Sequence, residues 1–372
     1  METTMIDFRS DTVTRPSAAM LQAMTRAPLG DDVMGDDPSV ISLQRAVAER
    51  AGKEAGLFFP TGTQSNLAAL MAHCGRGDEY LVGQLAHTYK YEGGGAAVLA
   101  SIQPQPIEHD ADGSLPLAKL AAAVKPLGDA HYARTRLLAL ENTFQGKVIP
   151  QAYMLEATAF ARGKGLGTHL DGARVFNASV ASGLPLAELC QPFDTVSICF
   201  SKGLGAPVGS VLVGSQALID QARRWRKVLG GGMRQAGVLA AAAHYALEHN
   251  VARLAEDHEN ARRLAQGLAA LPGVQVHAQD TNMAFVSFAA EHRAALNQGL
   301  KEEGILMSAV YDGPVRLVTH LDISRQARTL ASSRQKDSDS SLSGSDRLWK
   351  RSTEIKPSMV CSAGLSCAAI SR

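Results

Sequence analysis

Charge of one sign is what this chain lacks most plainly: across 372 residues, 37 lysines and arginines face 36 aspartates and glutamates, a formal net of +1. Without a basic excess to neutralise phosphates, composition argues against a nucleic-acid or other polyanionic partner. No apolar run approaches the ~20 residues needed to span a bilayer. The opening METTMIDFRSDTV has no positive cluster followed by an apolar stretch, so no secretory leader and no membrane association are expected. Cysteine is sparse and scattered: Cys74, Cys190, Cys199, Cys361 and Cys367 lack CxxC or metal-ligand spacing. They read as reduced thiols of a cytoplasmic protein without a metal centre, Cys74 and Cys199 as core packing.

What is present is apolar residue in quantity, 45% of the chain, ample for a core of one large or two ordinary domains. Helical and strand patterns alternate, which predicts a layered α/β fold on a largely parallel sheet. Ser39–Gly52 carries Val40, Leu43 and Val47 on one helical face, and Thr63–Cys74 carries Leu67, Leu70, Met71 and Cys74. Tyr80–Val82, Leu137–Leu140, Thr195–Phe200 and Ser210–Val213 read as buried parallel strands. Helices are expected over Gln216–Val228, Met233–Glu248 and Arg253–Leu271. Strands at Val274–His277, Ala284–Phe288 and Val315–Thr319, around a helix near Ala289–Glu303, then suggest a smaller α+β domain. The expected division is a large domain over 1–248 that includes an N-terminal arm, a small one over 249–324, and a serine-rich tail over 325–372 that reads as disordered.

Three short segments carry chemistry. In Ser201-Lys202-Gly203-Leu204-Gly205 a lysine ends a buried strand, where desolvation would free its amine as a nucleophile; alone, it also reads as a loop lysine. In Leu170-Asp171-Gly172-Ala173-Arg174 a strand-end carboxylate could hold a pyridinium nitrogen protonated, with Arg174 in reach of a ring oxygen or a substrate; an Asp-Gly turn is the plainer reading. In Pro60-Thr61-Gly62-Thr63-Gln64-Ser65-Asn66 free N–H groups at a helix start could cradle a phosphate, with Thr63 also readable as an N-cap.

In this order, the three segments resemble those of the low-specificity L-threonine aldolases, pyridoxal-phosphate enzymes of the aspartate-aminotransferase-like fold (fold type I). The resemblance is carried by FRSDTVTRPS (Phe8–Ser17), GDDVMGDDP (Gly30–Pro38), FPTGTQSNL (Phe59–Leu67), QLAHTY (Gln84–Tyr89), LEN (Leu140–Asn142), HLDGAR (His169–Arg174), SKGLGAPVGS (Ser201–Ser210), WRKVLGGGMRQAG (Trp225–Gly237) and VRLVTHLD (Val315–Asp322). It spans roughly residues 5 to 324. It implies that Lys202 forms the Schiff base with pyridoxal 5'-phosphate, that Asp171 pairs with the ring nitrogen, and that Gly62 and Thr63 bind the phosphate. It implies that His87 stacks on the ring, although His87 also reads as a helix start. Ser10, Arg174 and Arg316 are implied as a carboxylate clamp, with a local salt bridge the alternative for Arg316. His131 is implied at the substrate side chain, or else it is an exposed loop histidine. Lys227 and Arg234 are implied to reach the phosphate of a neighbouring subunit's cofactor, which makes the chain a homo-oligomer, dimeric at minimum and tetrameric in full. Met34 stands where such enzymes usually carry tyrosine.

The implied activity is retro-aldol cleavage of L-threonine, L-allo-threonine and other β-hydroxy-α-amino acids to glycine and an aldehyde. His87, His131 or a water is the base. The alternatives are another lyase or racemase of the same fold, or a catalytically impaired cofactor-binding protein with an altered C-terminus.

Overall fold

The computed structural model describes residues 5–288, 293–302, 304–308 and 313–323. The tail over 325–372 lies outside the described residues. In chain order the strands are β1 (Ile6–Asp7), β2 (Ala55–Phe59), β3 (Asp78–Gly83), β4 (Gln103–Ile107), β5 (Arg134–Glu141), β6 (Gly167–Gly172), β7 (Thr195–Cys199), β8 (Ser210–Gly214), β9 (Val274–Asp280), β10 (Met283–Phe288), β11 (Ile305–Leu306) and β12 (Val315–Val318). The chain forms two units, Pro16–Ala252 and a second made of the residues up to Arg15 and from Arg253 on.

The larger unit holds a seven-stranded sheet in the order β2-β8-β7-β6-β5-β3-β4. Its middle strands are apolar and buried on both faces, as strands covered by helices on each side must be: Leu137, Leu138, Leu170, Val196, Ile198, Val211 and Leu212 are almost completely enclosed. The neighbours from β4 through β7 run parallel, but β8 is antiparallel to both β7 and β2. The expectation of a parallel strand at Ser210–Val213 is thus corrected. The ten residues between Cys199 and Ser210 are too few for a crossover, so β8 must return beside β7 in the opposite sense. Two reversals bring β2 back parallel to β7. The carboxyl ends of β2, β3, β5, β6 and β7 therefore share one edge, where open α/β sheets bind their ligands.

Local chemistry sets the helices on this sheet. Pro38–Ala51 starts at Asp37, whose carboxylate accepts the N–H of Ser39 and Val40, and stops at Gly52 in a left-handed conformation, φ 63°. The helix expected from Met233 begins at Gly237 instead. There the Asp37 carboxylate accepts the Gly237 N–H at 2.9 Å, so a distant aspartate sets a start that local periodicity does not show.

In the smaller unit β12, β10 and β9 form an antiparallel sheet, and β1 pairs in parallel with β11. Leu264 and Leu268, on the helix Leu254–Ala269, bury with Phe8, Val286, Val315 and Leu317. The N-terminal arm thus groups with the C-terminal elements and not with the large domain to which sequence order assigned it. The pairing of β1 with β11 across some 300 residues has no local signature.

Candidate active site

Lys202 follows β7 through a tight turn. The Gly205 N–H donates to the Lys202 carbonyl at 2.8 Å, with Gly205 at φ 78°, a conformation glycine adopts without strain. The Asn250 side chain donates to the Leu204 carbonyl at 2.7 Å and pins the turn from outside. Lys202 itself is half-buried, while β7 behind it is fully enclosed. Its Nζ lies 3.5 Å from Cys199 Sγ.

Asp171 stands at the end of the adjacent strand, in register with Ser197 of β7 and Glu141 of β5. It is buried. One carboxylate oxygen accepts the Ala173 N–H at 3.0 Å and the other the Asn66 side-chain amide at 3.0 Å. A buried carboxylate so held is fixed in direction and keeps lone pairs for one further donor.

The phosphate-cradle segment is built with one correction. The N-cap is Thr61, whose hydroxyl accepts the Gln64 N–H, and the helix runs Gly62–His73; Thr63 lies inside the first turn. Among the described residues the N–H groups of Gly62 and Thr63 have no hydrogen-bond partner, as expected of a helix's first turn. Gly62 is required for a reason other than ligand approach: a Cβ there would meet Cys199 Sγ at 2.7 Å. That contact brings the helix start against the end of β7 and hence beside Lys202. Ser197 Oγ to Ser65 Oγ, at 2.7 Å, ties the same two elements.

His87 starts the short helix His87–Lys90. Its backbone N–H donates to Glu141 at 2.9 Å, and its Nδ1 lies 2.8 Å from a Glu92 oxygen. The hydrogen bond to Glu92 raises the His87 pKa, with Asp171 adding in the same sense and burial and Lys202 opposing, so groups at the ends of β6 and β7 both act on this ring. Desolvation at the site, reinforced by the Asp171 charge, pushes Glu141 up to about 7, and Arg174, half-buried at the start of Val175–Ser182, opposes that rise.

Asn66, Glu92, Glu141 and His169 are the members that sequence reading does not single out. Asn66, Glu141 and His169 lie inside quoted motifs. The available signal was a polar side chain flanked by apolar residues on a buried element, which obliges a partner.

The remaining candidates are placed apart from this cluster. His131 lies in the loop before Arg134, its side chain 88% exposed and paired with Asp129. With Glu141 at the site, β5 alone puts roughly 23 Å between Arg134 and that edge. His131 thus lies apart from the Lys202–Asp171 cluster of its own chain. Arg234 pairs with Asp31 at 3.0 Å, and Lys227 is exposed. Between them, a Cβ on Gly231 would overlap the Gln64 side chain, so this segment packs on the first turn of Gly62–His73 in its own chain. Met34 is 75% exposed. Ser10 caps the turn Asp11–Val13, and Arg316 occupies β12 opposite Phe285; both belong to the smaller unit.

A strand-end lysine, a buried carboxylate one strand away and a helix N-terminus on the same sheet edge define the class, the fold type I pyridoxal-phosphate enzymes. The chain belongs to the beta-eliminating lyase and threonine aldolase family: the beta-eliminating lyase model matches residues 7–313. It is 59% identical over 322 residues to the low specificity L-threonine aldolase of Escherichia coli strain K12, covering 87% of this chain and 96% of that one. It is 43% identical over 328 residues to low-specificity L-threonine aldolase 1 of Arabidopsis thaliana, covering 86% and 92%. Among solved structures, the Leishmania major threonine aldolase shares the fold with a TM-score of 0.74 at 22% identity, covering 90% of this chain and 100% of that one. Among the described residues no helix is long and apolar enough to cross a membrane.

Proposed function

We propose that this chain is a pyridoxal-5'-phosphate-dependent aldolase that cleaves L-threonine, L-allo-threonine and related β-hydroxy-α-amino acids to glycine and the matching aldehyde. The observation that carries the reading is the convergence of Lys202, Asp171 and the unpartnered N–H groups of Gly62 and Thr63 on one sheet edge. These residues fit the cofactor: an amine for its aldehyde, a carboxylate with spare lone pairs for its ring nitrogen, and paired N–H donors at a helix N-terminus for its phosphate. When bound, the cofactor supplies the electron sink for the pair left at Cα as the Cα–Cβ bond breaks.

The chain supplies the rest. Lys202 would hold the cofactor through its amine. Asp171, fixed by Asn66 and the Ala173 N–H, keeps the ring nitrogen protonated. His87 covers the ring, and its Nε2 takes the β-hydroxyl proton. Arg174 binds the substrate carboxylate, a task suited to a forked guanidinium donor. Oligomerisation completes the site: Lys227 and Arg234 serve a neighbouring subunit's phosphate, and His131 contributes only from another copy. A dimer is the minimal unit and a tetramer the full assembly.

Product analysis with L-threonine, L-allo-threonine and phenylserine tests the reading. Glycine plus aldehyde in equal amounts supports it; pyruvate or another α-keto acid plus ammonia makes the chain a β-eliminating lyase.

A further inference from the structure

The Glu92 carboxylate is buried within the site, and the roles above leave it without a task. One of its oxygens, Oε1, receives two donors, His87 Nδ1 at 2.8 Å and Asn66 Nδ2 at 2.9 Å. The second Asn66 amide hydrogen goes to Asp171 at 3.0 Å. Both Asn66 donors thus point at carboxylates, and its carbonyl faces His169 Nε2 at 3.2 Å.

A hydrogen count fixes the direction of every bond. Burial pulls the His169 pKa down to about 3, so the ring is neutral. With Nε2–H donating to Asn66, its bare Nδ1 accepts from the Thr195 hydroxyl at 2.9 Å. Thr195 in turn accepts from His73 Nε2 at 2.9 Å. The Asn66 amide therefore cannot flip without setting a carbonyl against two carboxylates. With Glu92 ionised, its Oε1 is an acceptor twice over, the His87 proton sits on Nδ1, and Nε2 is left as the bare nitrogen.

We propose that Glu92 is a positioning residue for the cleavage step, holding His87 in the tautomer that presents a basic Nε2, with Asn66 locking Glu92 and Asp171 into one unit. The proposal rests on the aldolase reading given above. Besides Glu92, the titratable and charged groups facing His87 among the described residues are Asp171 on β6, Glu141 on β5, Lys202 after β7 and Tyr91, whose ring centroid lies 5.8 Å from the imidazole. Tyr80, on β3 beneath the short helix, donates to the Thr88 carbonyl at 3.3 Å. Glu92 alone among these meets the imidazole nitrogen directly.

Glu92→Gln separates charge from position, since its amide oxygen still accepts the Nδ1 proton; Glu92→Ala removes both. Two readouts are taken on the full chain. The first is the pH titration of histidine-labelled protein by NMR, with and without cofactor, the His87 signal being assigned by its loss in His87→Gln. The second is the pH profile of kcat with L-threonine. In Glu92→Gln the His87 titration and the acid limb of kcat both move about one unit lower, with KM within about twofold. Glu92→Ala loses on the order of 100-fold in kcat, while the cofactor absorbance band shows that the site is still loaded. A Glu92→Gln protein whose His87 titration and acid limb stay in place overturns the proposal. So does a Glu92→Ala protein of full kcat. A wild-type protein that releases 2-oxobutanoate and ammonia from L-threonine overturns the aldolase reading instead, and the NMR titration still decides whether Glu92 governs His87.

Discussion

At the scale of single residues, the account turns on an amine and a carboxylate held one strand apart. Lys202→Ala is expected to abolish aldehyde release and the cofactor's long-wavelength absorbance while far-UV circular dichroism is unchanged, because Lys202 is only half-buried and lies in a turn outside the strands and helices. Turnover at a comparable rate in the variant would contradict the assignment. The buried histidines give a second test, on stability. Burial lowers His73 to about 4 and His169 to about 3 from the usual 6.5. The unfolded chain therefore binds protons that the folded one refuses, and stability is lost as pH falls from 6.5 toward those values. Each histidine costs ~1.4 kcal/mol per pH unit within that window. Glu141, raised to about 7, acts in the opposite sense between its unfolded value near 4.5 and 7, so the clean comparison is between variant and wild type. His73→Gln keeps a donor for Thr195 and removes the titration. Denaturant unfolding at pH 6.5 and 5 is expected to show a shallower loss for the variant, and parallel losses would contradict it.

At the scale of elements, the site depends on how closely the helix Gly62–His73 approaches the end of β7. Gly62→Ala forces a Cβ to within 2.7 Å of Cys199 Sγ. It is expected to cost about 1–3 kcal/mol by overpacking and to weaken cofactor binding, and the double variant Gly62→Ala/Cys199→Ala is expected to recover part of both. Equilibrium unfolding and cofactor titration measure the effect. No cost in the single variant would mean the approach is looser than described.

Elements of strong period were legible in the sequence: Pro38–Ala51, Gln216–Val228 and Leu254–Ala269 lie within two residues of their expected bounds. Other elements were not. β4 reads QPQPI, an edge strand whose two prolines and half-exposed faces erase any apolar alternation. β2 is a short buried strand whose small leading residues, AGLFF, do not separate it from a helix. The sense of β8 and the partner of β1 are properties of the whole sheet and leave no local mark. Lys202, Asp171 and the Gly62–Thr63 turn were legible because their chemistry needs particular residue types at chain punctuation. Glu92, Asn66 and His169 were not, because a buried polar residue announces that it has a partner without saying which.

At the scale of the whole molecule, the proposed phosphate contacts from Lys227 and Arg234 require more than one copy. Lys227→Ala and Arg234→Ala are each expected to weaken cofactor retention. Mixed with Lys202→Ala subunits, each is expected to recover part of the activity, because a hybrid dimer can assemble one intact site from two defective chains. Hybrids verified by mass that stay inactive would assign both cations to their own chain, where Arg234 already meets Asp31. The central claim is the bond that breaks, and one measurement addresses it directly: the products formed from L-threonine by the cofactor-loaded chain. The account predicts glycine and acetaldehyde in equal amounts, with no keto acid. Ammonia and 2-oxobutanoate without glycine would contradict it.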